Sequence, residues 1–423
     1  MTYLEHINCP LCKCDRTKFL FKRNDCLHQT NQDYFNVVQC KQCNTVYLNP
    51  RPNGDEIHNF YPKEFYDTTH TPERTVLEKA KGLIGKQDLV SRLKPGAVLD
   101  VGCSKGEFLY MMKTMGWDVT GFDFSSKPPN VFDLDIRYGE LSKANLPKES
   151  FDLITLWGVL EHVYYPSEML ENVNKLLKPG GRLILTVTNF NSLQSRVMRQ
   201  DDIPRHTTLF TKNTLAAMLE NNGFFNHKFI FDQSVFGGSV RGLLNYGVKI
   251  LAGESIDNIV IQNRTPSRWN EFATQLNGKP SKLIERIDRI DEKVSPIIDK
   301  ILEALGFGFI MTSISTKLSS ALDYDKSQLI PLPAPFKKSR GKMWEVELKS
   351  HETIADNNAE PRRSPIILFE NEIPIWKNHS LHDDISKLGQ GRYSHWNSYL
   401  CFSTTDNSDP NTNGKKYHIA LSQ

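Results

Sequence analysis

The sequence predicts an α/β fold built on a doubly wound parallel sheet in the middle of the chain. Short apolar runs alternate there with helical patterns, as in βαβ units. One run, "FDLITLW", is apolar along almost its whole length, which is typical of a strand buried on both faces. Another, "VLDVGCSKGEF" at residues 98–108, leads through a glycine loop into a helix. This order of strand, loop and helix is that of a Rossmann-like sheet.

The elements of this region follow in order from their periodicity. "AVLDV", "WDVTGFD", "FDLITLW" and "RLILTVT" are predicted as strands. The helix after the first strand carries Phe108, Leu109, Met111, Met112 and Met115 on one face and ends at Gly116. A second helix, with Met169, Leu170, Val173, Leu176 and Leu177, is stopped by "KPGG". Pro128 and Pro129 argue against a regular helix between the second and third strands.

The length of 423 residues indicates two or three domains. We divide the chain into five segments by pattern. They are a cysteine-rich module at 1–70, the α/β region at 71–232, a helical extension at 233–320, a proline-rich linker at 321–364 and a small β unit at 365–423.

Composition excludes some partners and compartments. The formal net charge is +3, which gives no support for nucleic acid or membrane binding. No apolar run reaches the length of about 18 residues that a spanning helix needs. The amino terminus, "MTYLEHINCPLC", has no apolar segment typical of a secretory signal. We therefore expect a cytoplasmic protein with reduced cysteines and no transmembrane segment.

Four of the eight cysteines occur as two C-x-x-C pairs, Cys9 with Cys12 and Cys40 with Cys43. Four thiolates suit tetrahedral zinc in a closed structural site. Cys14 remains an alternative ligand, and Cys26 is interpreted as a bystander. The other interpretation is a set of unrelated buried thiols.

The glycine loop does not fit a dinucleotide. Glu107 lies in the first helical turn, where its charge repels a pyrophosphate but tolerates a cationic ligand. Gly102 and Gly106 allow close backbone approach, and Asp123 ends the second strand where a carboxylate can bind both ribose hydroxyls. The loop therefore predicts a phosphate-free, cationic adenosine compound, a description that S-adenosylmethionine (SAM) meets.

Four motifs in order, "VLDVGCSKGEF", "VTGFD", "SFDLITLWGVLEHV" and "LLKPGGRLILTVTN", resemble the class I SAM-dependent methyltransferases. The resemblance covers about Arg92 to Phe231. It implies that Asp100 and the loop hold the methionine end of SAM, that Asp123 holds the ribose, and that Trp157 and Glu161 lie beside the cofactor. The cofactor-binding residues that it implies are Asp100, Gly102, Cys103, Ser104, Gly106, Asp123, Phe124, Glu140, Leu141, Trp157 and Glu161. Family members often have glycine at the position of Ser104; a serine is tolerated there if its φ is negative, and it changes how the methionine end is held.

The segment "DDIPRHTTLFT" resembles a motif of sugar methyltransferases in which a histidine faces the acceptor. His206 is therefore our candidate base, with its neighbour Arg205 contacting the acceptor or a carboxylate, and with His162 lining the pocket. The alternative for His206 is a loop histidine that only packs the lid of the site. The alternative for His162 is a histidine that caps a helix or packs in the core. The cysteine pattern also resembles the amino-terminal module of methyltransferases in sugar and surface-polysaccharide pathways, which places Tyr61 and Tyr66 near the substrate.

The carboxyl-terminal stretch is rich in aromatic and amide side chains, among them Trp376, Tyr393 and Trp396. These side chains suit sugar recognition, but a unit this small needs its large side chains for burial, which favours a core.

The sequence thus predicts SAM-dependent methylation of a nucleotide sugar or surface glycan, preferably at oxygen. The alternatives are a nucleic-acid methyltransferase guided by the zinc module and a non-catalytic protein that binds SAM or carbohydrate. The oligomeric state stays open.

Overall fold

A computed structural model describes residues 3–62, 82–124, 132–198, 201–251, 253, 282–317, 329–361, 363–371, 373–375, 378–389 and 391–421. The chain divides into two compact units. The first comprises residues 1–218 and 225–317, and the second residues 219–224 and 318–423.

The first unit begins with a small antiparallel module. Its strands are β1 (Leu4–Glu5), β2 (Thr17–Arg23), β3 (Phe35–Cys40), β4 (Val46–Leu48) and β5 (Arg51–Pro52). β1 pairs with β5, and β2, β3 and β4 pair in sequence as three strands of a four-stranded sheet.

The central sheet of seven strands follows. The elements from residue 83 to residue 188 are α1 (Leu83–Val90), β6 (Ala97–Val101), α2 (Glu107–Thr114), β7 (Asp118–Asp123), β8 (Ile136–Tyr138), β9 (Phe151–Trp157), α3 (Pro166–Leu176) and β10 (Leu177–Thr188). The parallel order β10-β9-β6-β7-β8 confirms the predicted doubly wound sheet. Because the strands are parallel, the carboxyl ends of β6, β7, β9 and β10 meet at one edge, where ligands bind in such sheets.

The elements after β10 complete both sheets. They are α4 (Leu193–Arg196), β11 (Thr208–Leu209), α5 (Lys212–Asn221), β12 (Phe224–Ile230), α6 (Leu243–Leu251), α7 (Lys282–Ala304) and β13 (Ile310–Lys317). β11 pairs with β4, so a strand that follows the methyltransferase-like motifs becomes the fourth strand of the amino-terminal sheet. β13 lies antiparallel to β10.

The segment 233–320 differs in part from our expectation of a helical extension. α6 and α7 are helical, but Ile310–Lys317 forms β13 in the central sheet. The stretch "IMTSISTK" is short and rich in β-branched residues, so it pairs with β10 along seven residue positions. In the described part of the chain, no helix combines the length and the apolar character needed to cross a membrane.

The second unit holds two four-stranded sheets. Its elements are β14 (Ile330–Pro331), β15 (Lys337–Lys338), β16 (Trp344–Glu347), β17 (Ile366–Glu370), β18 (Ile373–Ile375), α8 (His382–Lys387), β19 (Tyr393–Trp396), β20 (Tyr399–Phe402) and β21 (Tyr417–Leu421). The sheet orders are β14-β21-β17-β18 and β15-β16-β20-β19. The predicted linker 321–364 therefore contributes three strands, β14, β15 and β16. They were not predicted, because strands of two to four residues are too short to show an alternating pattern.

The aromatic residues of the second unit serve mainly as core. Tyr393 is 1% exposed and packs with Trp344, Phe402 and Tyr417 in one apolar cluster. Trp396 is half-buried, with its ring centroid 6.3 Å from that of His382. Trp376 lies outside the described residues. The preference for a core over a sugar-binding surface therefore agrees with the position of Tyr393.

Candidate active site

The glycine loop between β6 and α2 has left-handed backbone conformations at three positions. Gly102 has φ +77° and Gly106 has φ +86°, both of which favour glycine. A Cβ on Gly102 would lie 2.5 Å from a methyl carbon of Val159. Ser104 has φ +51°, so the condition of a negative φ is not met there. The loop keeps the left-handed turn that a glycine would adopt, and the serine bears its strain.

Two carboxylates stand at the ends of the first two strands of the site. Asp100 on β6 is buried and accepts a hydrogen bond of 2.6 Å from the Thr155 hydroxyl. Burial raises the pKa of Asp100 to about 7, against the opposing influence of Lys86. Asp123, at the end of β7, accepts a 2.8 Å bond from the amide of Ser104. This bond connects the loop to β7, the strand that ends in Asp123, the residue predicted to bind the ribose.

Trp157 ends β9 beside these carboxylates. Its ring meets that of Phe108 edge to face, with centroids 5.1 Å apart. Its indole Nε1 is buried and has no hydrogen-bond partner among the described residues. The ammonium of Lys86, on α1, lies 5.2 Å from the ring centroids of both Trp157 and Phe236. An indole N–H without a partner beside an acidic loop is consistent with a ligand at this position.

The other predicted cofactor residues lie around this loop in different settings. The side chain of Cys103 is buried in an apolar cluster, and burial raises the pKa of its thiol. Phe124 is 45% exposed. Glu140 is exposed and pairs with Lys143 at 2.9 Å, whereas Leu141 is buried. Cys103 thus faces the core of the fold and offers the cofactor only its backbone, while Phe124 and Glu140 face outward beside β7 and β8.

A second cluster lies where β9 and β10 end. Glu161 and His162 belong to a 3-10 turn, Leu160–His162, directly after β9. His206 follows β10 by 18 residues, and its Nδ1 lies 3.4 Å from Thr188 Oγ1. The rings of His162 and His206 meet edge to face with centroids 4.6 Å apart. One donor atom from each of Glu161, His162 and His206 lies within 4.8 Å of the others.

Burial keeps this cluster uncharged. It lowers the pKa of His206 to about 3, with a further contribution from His162, and it lowers the pKa of His162. It also raises the pKa of Glu161 to about 8, and Glu161 Oε2 has no hydrogen-bond partner among the described residues. At neutral pH both imidazoles are therefore neutral and able to accept a proton.

Arg205 makes contacts to two carboxylates of the protein. Its side chain is fully buried and donates to Asp25 Oδ1 at 2.7 Å and to Asp202 Oδ1 at 2.6 Å. It also donates to the carbonyl oxygen of Phe60. Because its guanidinium is held on three sides, Arg205 binds the amino-terminal module to the loop that carries His206.

Two tyrosines near the site, Tyr61 and Tyr164, contact His162 and the module, respectively. Tyr61 Oη lies 3.3 Å from His162 Nδ1. Tyr164 donates to the carbonyl of Pro52 at 2.7 Å, which gives it a packing role. Tyr66 lies outside the described residues.

The two C-x-x-C pairs converge as predicted. Sγ of Cys9 lies 3.4 Å from that of Cys43, and Sγ of Cys12 lies 3.5 Å from that of Cys40. One sulfur atom from each of the four lies within 4.8 Å of the others. Cys14 is not in this cluster, and its sulfur accepts from the amide of Arg16. A convergent set of four sulfur donors fits the chemistry of a tetrahedral metal site.

Sequence reasoning missed Asp25, Asp202 and Lys86. Asp202 stands in the quoted "DDIPRH" segment, but only its contact with Arg205 gives it a role. Asp25 lies 180 residues before Arg205 and carries no motif. Lys86 precedes the first strand, outside the segment that resembles the methyltransferases.

Residues 79–228 match the model of a family described as a methyltransferase domain. The glycine loop and the two carboxylates lie within the matched residues, so the chain contains a domain similar to SAM-dependent methyltransferases. The predicted methyltransferase domain is thereby confirmed. The glycine loop and the two carboxylates fit SAM as the cofactor.

Among curated proteins, the chain is similar to ubiquinone biosynthesis O-methyltransferases. It is 35% identical over 120 residues to that of Paracidovorax citrulli, covering 26% of this chain and 50% of the relative. It is 33% identical over 126 residues to that of Vibrio cholerae, covering 27% of this chain and 47% of the relative. The chain thus spans about half the length of the curated relatives it matches.

Solved structures of SAM-dependent methyltransferases also match. One is a possible histamine N-methyltransferase from Thermotoga maritima, at 16% identity and a TM-score of 0.35, covering 58% of this chain and 94% of that one. Another, from Archaeoglobus fulgidus, has 19% identity and a TM-score of 0.36, covering 56% and 94%.

Proposed function

We propose that the protein transfers the methyl group of SAM to a hydroxyl group of a carbohydrate acceptor, a nucleotide sugar or a surface glycan, with His206 as the base. The observation that carries the proposal is the pair of neutral imidazoles, of half-buried His162 and buried His206, at the edge of the sheet where the SAM loop also lies.

SAM, when bound, supplies a methyl group on a positively charged sulfur. The chain's own groups for holding it are the glycine loop with Asp100, the carboxylate of Asp123 and the unpartnered indole N–H of Trp157. Negative charge and close backbone approach fit a cationic ligand without phosphates. A water-poor site with aligned reactants accounts for much of the acceleration in such transfers.

His206 has the form that a base requires. When its Nδ1–H donates to Thr188 Oγ1, the lone pair of Nε2 is free to take the acceptor's hydroxyl proton. A pKa of about 3 makes His206 a weak base. The hydroxyl oxygen becomes strongly acidic as it bonds to a methyl group, so a weak base suffices at that stage.

The carbohydrate assignment is supported by the polar lining of the site. Tyr61 and Asp202 lie near the two histidines, with Tyr61 Oη at 3.3 Å from His162 Nδ1. His28 Nε2 lies 3.9 Å from Asp202 Oδ1. Hydroxyl-rich ligands find donors and acceptors there. The resemblance of the cysteine pattern to modules of sugar methyltransferases points the same way. Oxygen as the methylated atom is supported by the names of the O-methyltransferase relatives.

A second acceptor class follows from those same relatives. Their names place them in ubiquinone biosynthesis, so an acceptor of that pathway is the alternative substrate. The structural role of zinc in the cysteine module is part of the proposal, on the convergence of four sulfur atoms.

The test is transfer of tritiated methyl from SAM to three panels: nucleotide sugars, extracted surface glycans and ubiquinone precursors. We expect label in a carbohydrate panel and a loss of about 100-fold or more in the His206→Ala variant. His6→Ala, an exposed histidine of the module, is the matched control and retains full transfer. Label found only in the ubiquinone precursors would show that the acceptor is not a carbohydrate. Equal transfer by His206→Ala and by the wild type would show that His206 is not the base.

A further inference from the structure

The cysteine-rich module shares its sheet with the loop that carries His206. β11 pairs with β4 through Thr208 opposite Tyr47 and Leu209 opposite Val46. Tyr47 is fully buried and packs in one cluster with Cys9 and Cys40. His206 therefore lies two residues from a strand that the module itself holds in register.

Thr207 connects both sides of this junction. Its amide donates to the carbonyl of Glu161 at 2.9 Å, and its carbonyl accepts from the amide of Leu48 at 3.1 Å. Thr207 is thus fixed to the Leu160–His162 turn on one side and to β4 of the module on the other.

The turn before His206 is fixed through Arg205. The amide of His206 donates to the carbonyl of Asp202 at 2.7 Å, which closes a tight turn from 202 to 206. Within that turn, Arg205 donates to Asp202 through Nε at 2.9 Å and Nη2 at 2.6 Å. Its other bonds, to Asp25 and Phe60, reach into the module.

Asp25 is itself rigidly held. Its side chain is fully buried. It accepts from Arg205 at 2.7 and 3.0 Å, from the amides of His28 and Thr30 at 3.0 Å, and from the Thr30 hydroxyl at 2.6 Å. A carboxylate with this many donors has little freedom, and the two-bond fork of a guanidinium adds a fixed orientation.

We propose that Asp25 is a positioning residue for His206. Asp25 orients Arg205, and Arg205 fixes the conformation of the 202–206 turn that carries His206. The cysteine-rich module, to which Asp25 belongs, thereby forms part of the acceptor site. The inference rests on the proposed role of His206 as the base. A displacement of about 1 Å at a reacting group costs about 100-fold in rate, so a residue that acts only on the orientation of that turn has a large effect on catalysis.

The test compares Asp25→Asn with the wild-type full chain. Asparagine keeps the shape and one acceptor oxygen but removes the charge that orients Arg205. Asp152→Asn is the matched control, since Asp152 also pairs with a cation, Lys178 at 2.8 Å, but stands where β9 begins, at the opposite edge of the sheet. Zinc content and the Kd for S-adenosylhomocysteine are measured first, and we expect both variants to match the wild type within about twofold.

The first deciding measurement needs no acceptor. In Asp25→Asn we expect the ring ¹⁵N signals of His206, assigned from His206→Ala, to shift. We also expect hydrogen exchange of amides 206–209 to accelerate about tenfold or more, as local opening becomes easier. Both observables stay at wild-type values in Asp152→Asn. Unchanged ring signals and exchange in Asp25→Asn would overturn the inference, whether or not an acceptor has been found.

The second measurement uses the acceptor identified by the transfer assay. Asp25→Asn should lower kcat about 10- to 100-fold with little change in KM for SAM. In the His206→Ala background the same substitution should have no further effect on the residual rate, because its influence passes through His206. An equal additional loss in that background would show a general structural effect and refute positioning. If Asp25→Asn does not fold, Arg205→Lys, which keeps the charge but loses the fork, is measured in the same way.

Discussion

The imidazole rings of His162 and His206 meet edge to face at an interplanar angle of 83°, with centroids 4.6 Å apart. The two residues come from different loops, one following β9 and the other following β10. Two imidazoles this close cannot both be protonated without strong repulsion, and burial adds to that cost. This relationship determines the pH behaviour expected of the site.

We expect the methyl-transfer rate at saturating SAM to remain level from pH 7 down to about pH 5. The pKa of His206 is lowered to about 3, so the ring keeps its lone pair through this range. The check is a pH profile of kcat with the acceptor identified by the transfer assay. An acid limb with its midpoint near 6.5, the ordinary value for histidine, would contradict the neutral pair.

Glu161→Gln should make the protein more stable at alkaline pH. The folded pKa of Glu161 is raised from 4.5 to about 8. Its contribution to stability is therefore fully present below pH 4.5 and is lost as the pH rises through about 8. The amide cannot ionise, so the variant lacks this loss. Urea unfolding at pH 5 and pH 9 should show a smaller decrease for the variant than for the wild type; equal decreases would argue against a buried, protonated Glu161.

Arg205→Met should destabilise the folded state by about 3–5 kcal/mol at neutral pH, because it leaves the buried carboxylate of Asp25 without its cation. The wild type should also lose stability in acid. The pKa of Asp25 lies below its ordinary 3.8, so its contribution is present above that value and is lost as the pH falls through the folded pKa. Chemical unfolding between pH 7 and about pH 3 measures both effects. An Arg205→Met stability within about 1 kcal/mol of wild type would exclude a structural ion pair.

Removal of any one thiolate of the cluster should abolish stoichiometric zinc. We expect one zinc per chain in wild type, and loss of zinc with a lower unfolding temperature in Cys9→Ser, since such sites contribute directly to folding. Cys14→Ser is the matched control, because Cys14 stands outside the cluster. Elemental analysis after gel filtration in reducing buffer gives the metal content. Zinc lost equally from Cys14→Ser would assign that residue as a ligand.

Ser104→Gly should stabilise the protein by up to about 1 kcal/mol. Ser104 has φ +51°, a conformation that costs an L-residue roughly 1–2 kcal/mol and costs glycine almost nothing. The gain is reduced because glycine has more freedom in the unfolded chain. Thermal unfolding of the two proteins without ligand is the measurement. A less stable glycine variant would indicate that the serine side chain itself stabilises the loop.

The sequence alone was sufficient for the central sheet and the methyltransferase domain. Strands such as "AVLDV" and "FDLITLW" are recognisable because local periodicity reflects burial, and Gly102, Gly106 and Glu107 lie within a few residues of one another. The convergence of the four cysteines was likewise predicted from spacing, since each C-x-x-C pair is a local turn. These features depend on neighbours in the chain.

Tertiary structure decided what depends on distant partners. The sign of φ at Ser104 follows from how the loop closes between β6 and α2, which its own residue type does not reveal. Ile310–Lys317 is a strand because it pairs with the edge of β10. The carboxylate that Arg205 binds belongs to Asp25, a buried residue 180 positions away in the chain. A buried charge must find its counter-charge wherever the fold places one, and neither composition nor periodicity contains that information.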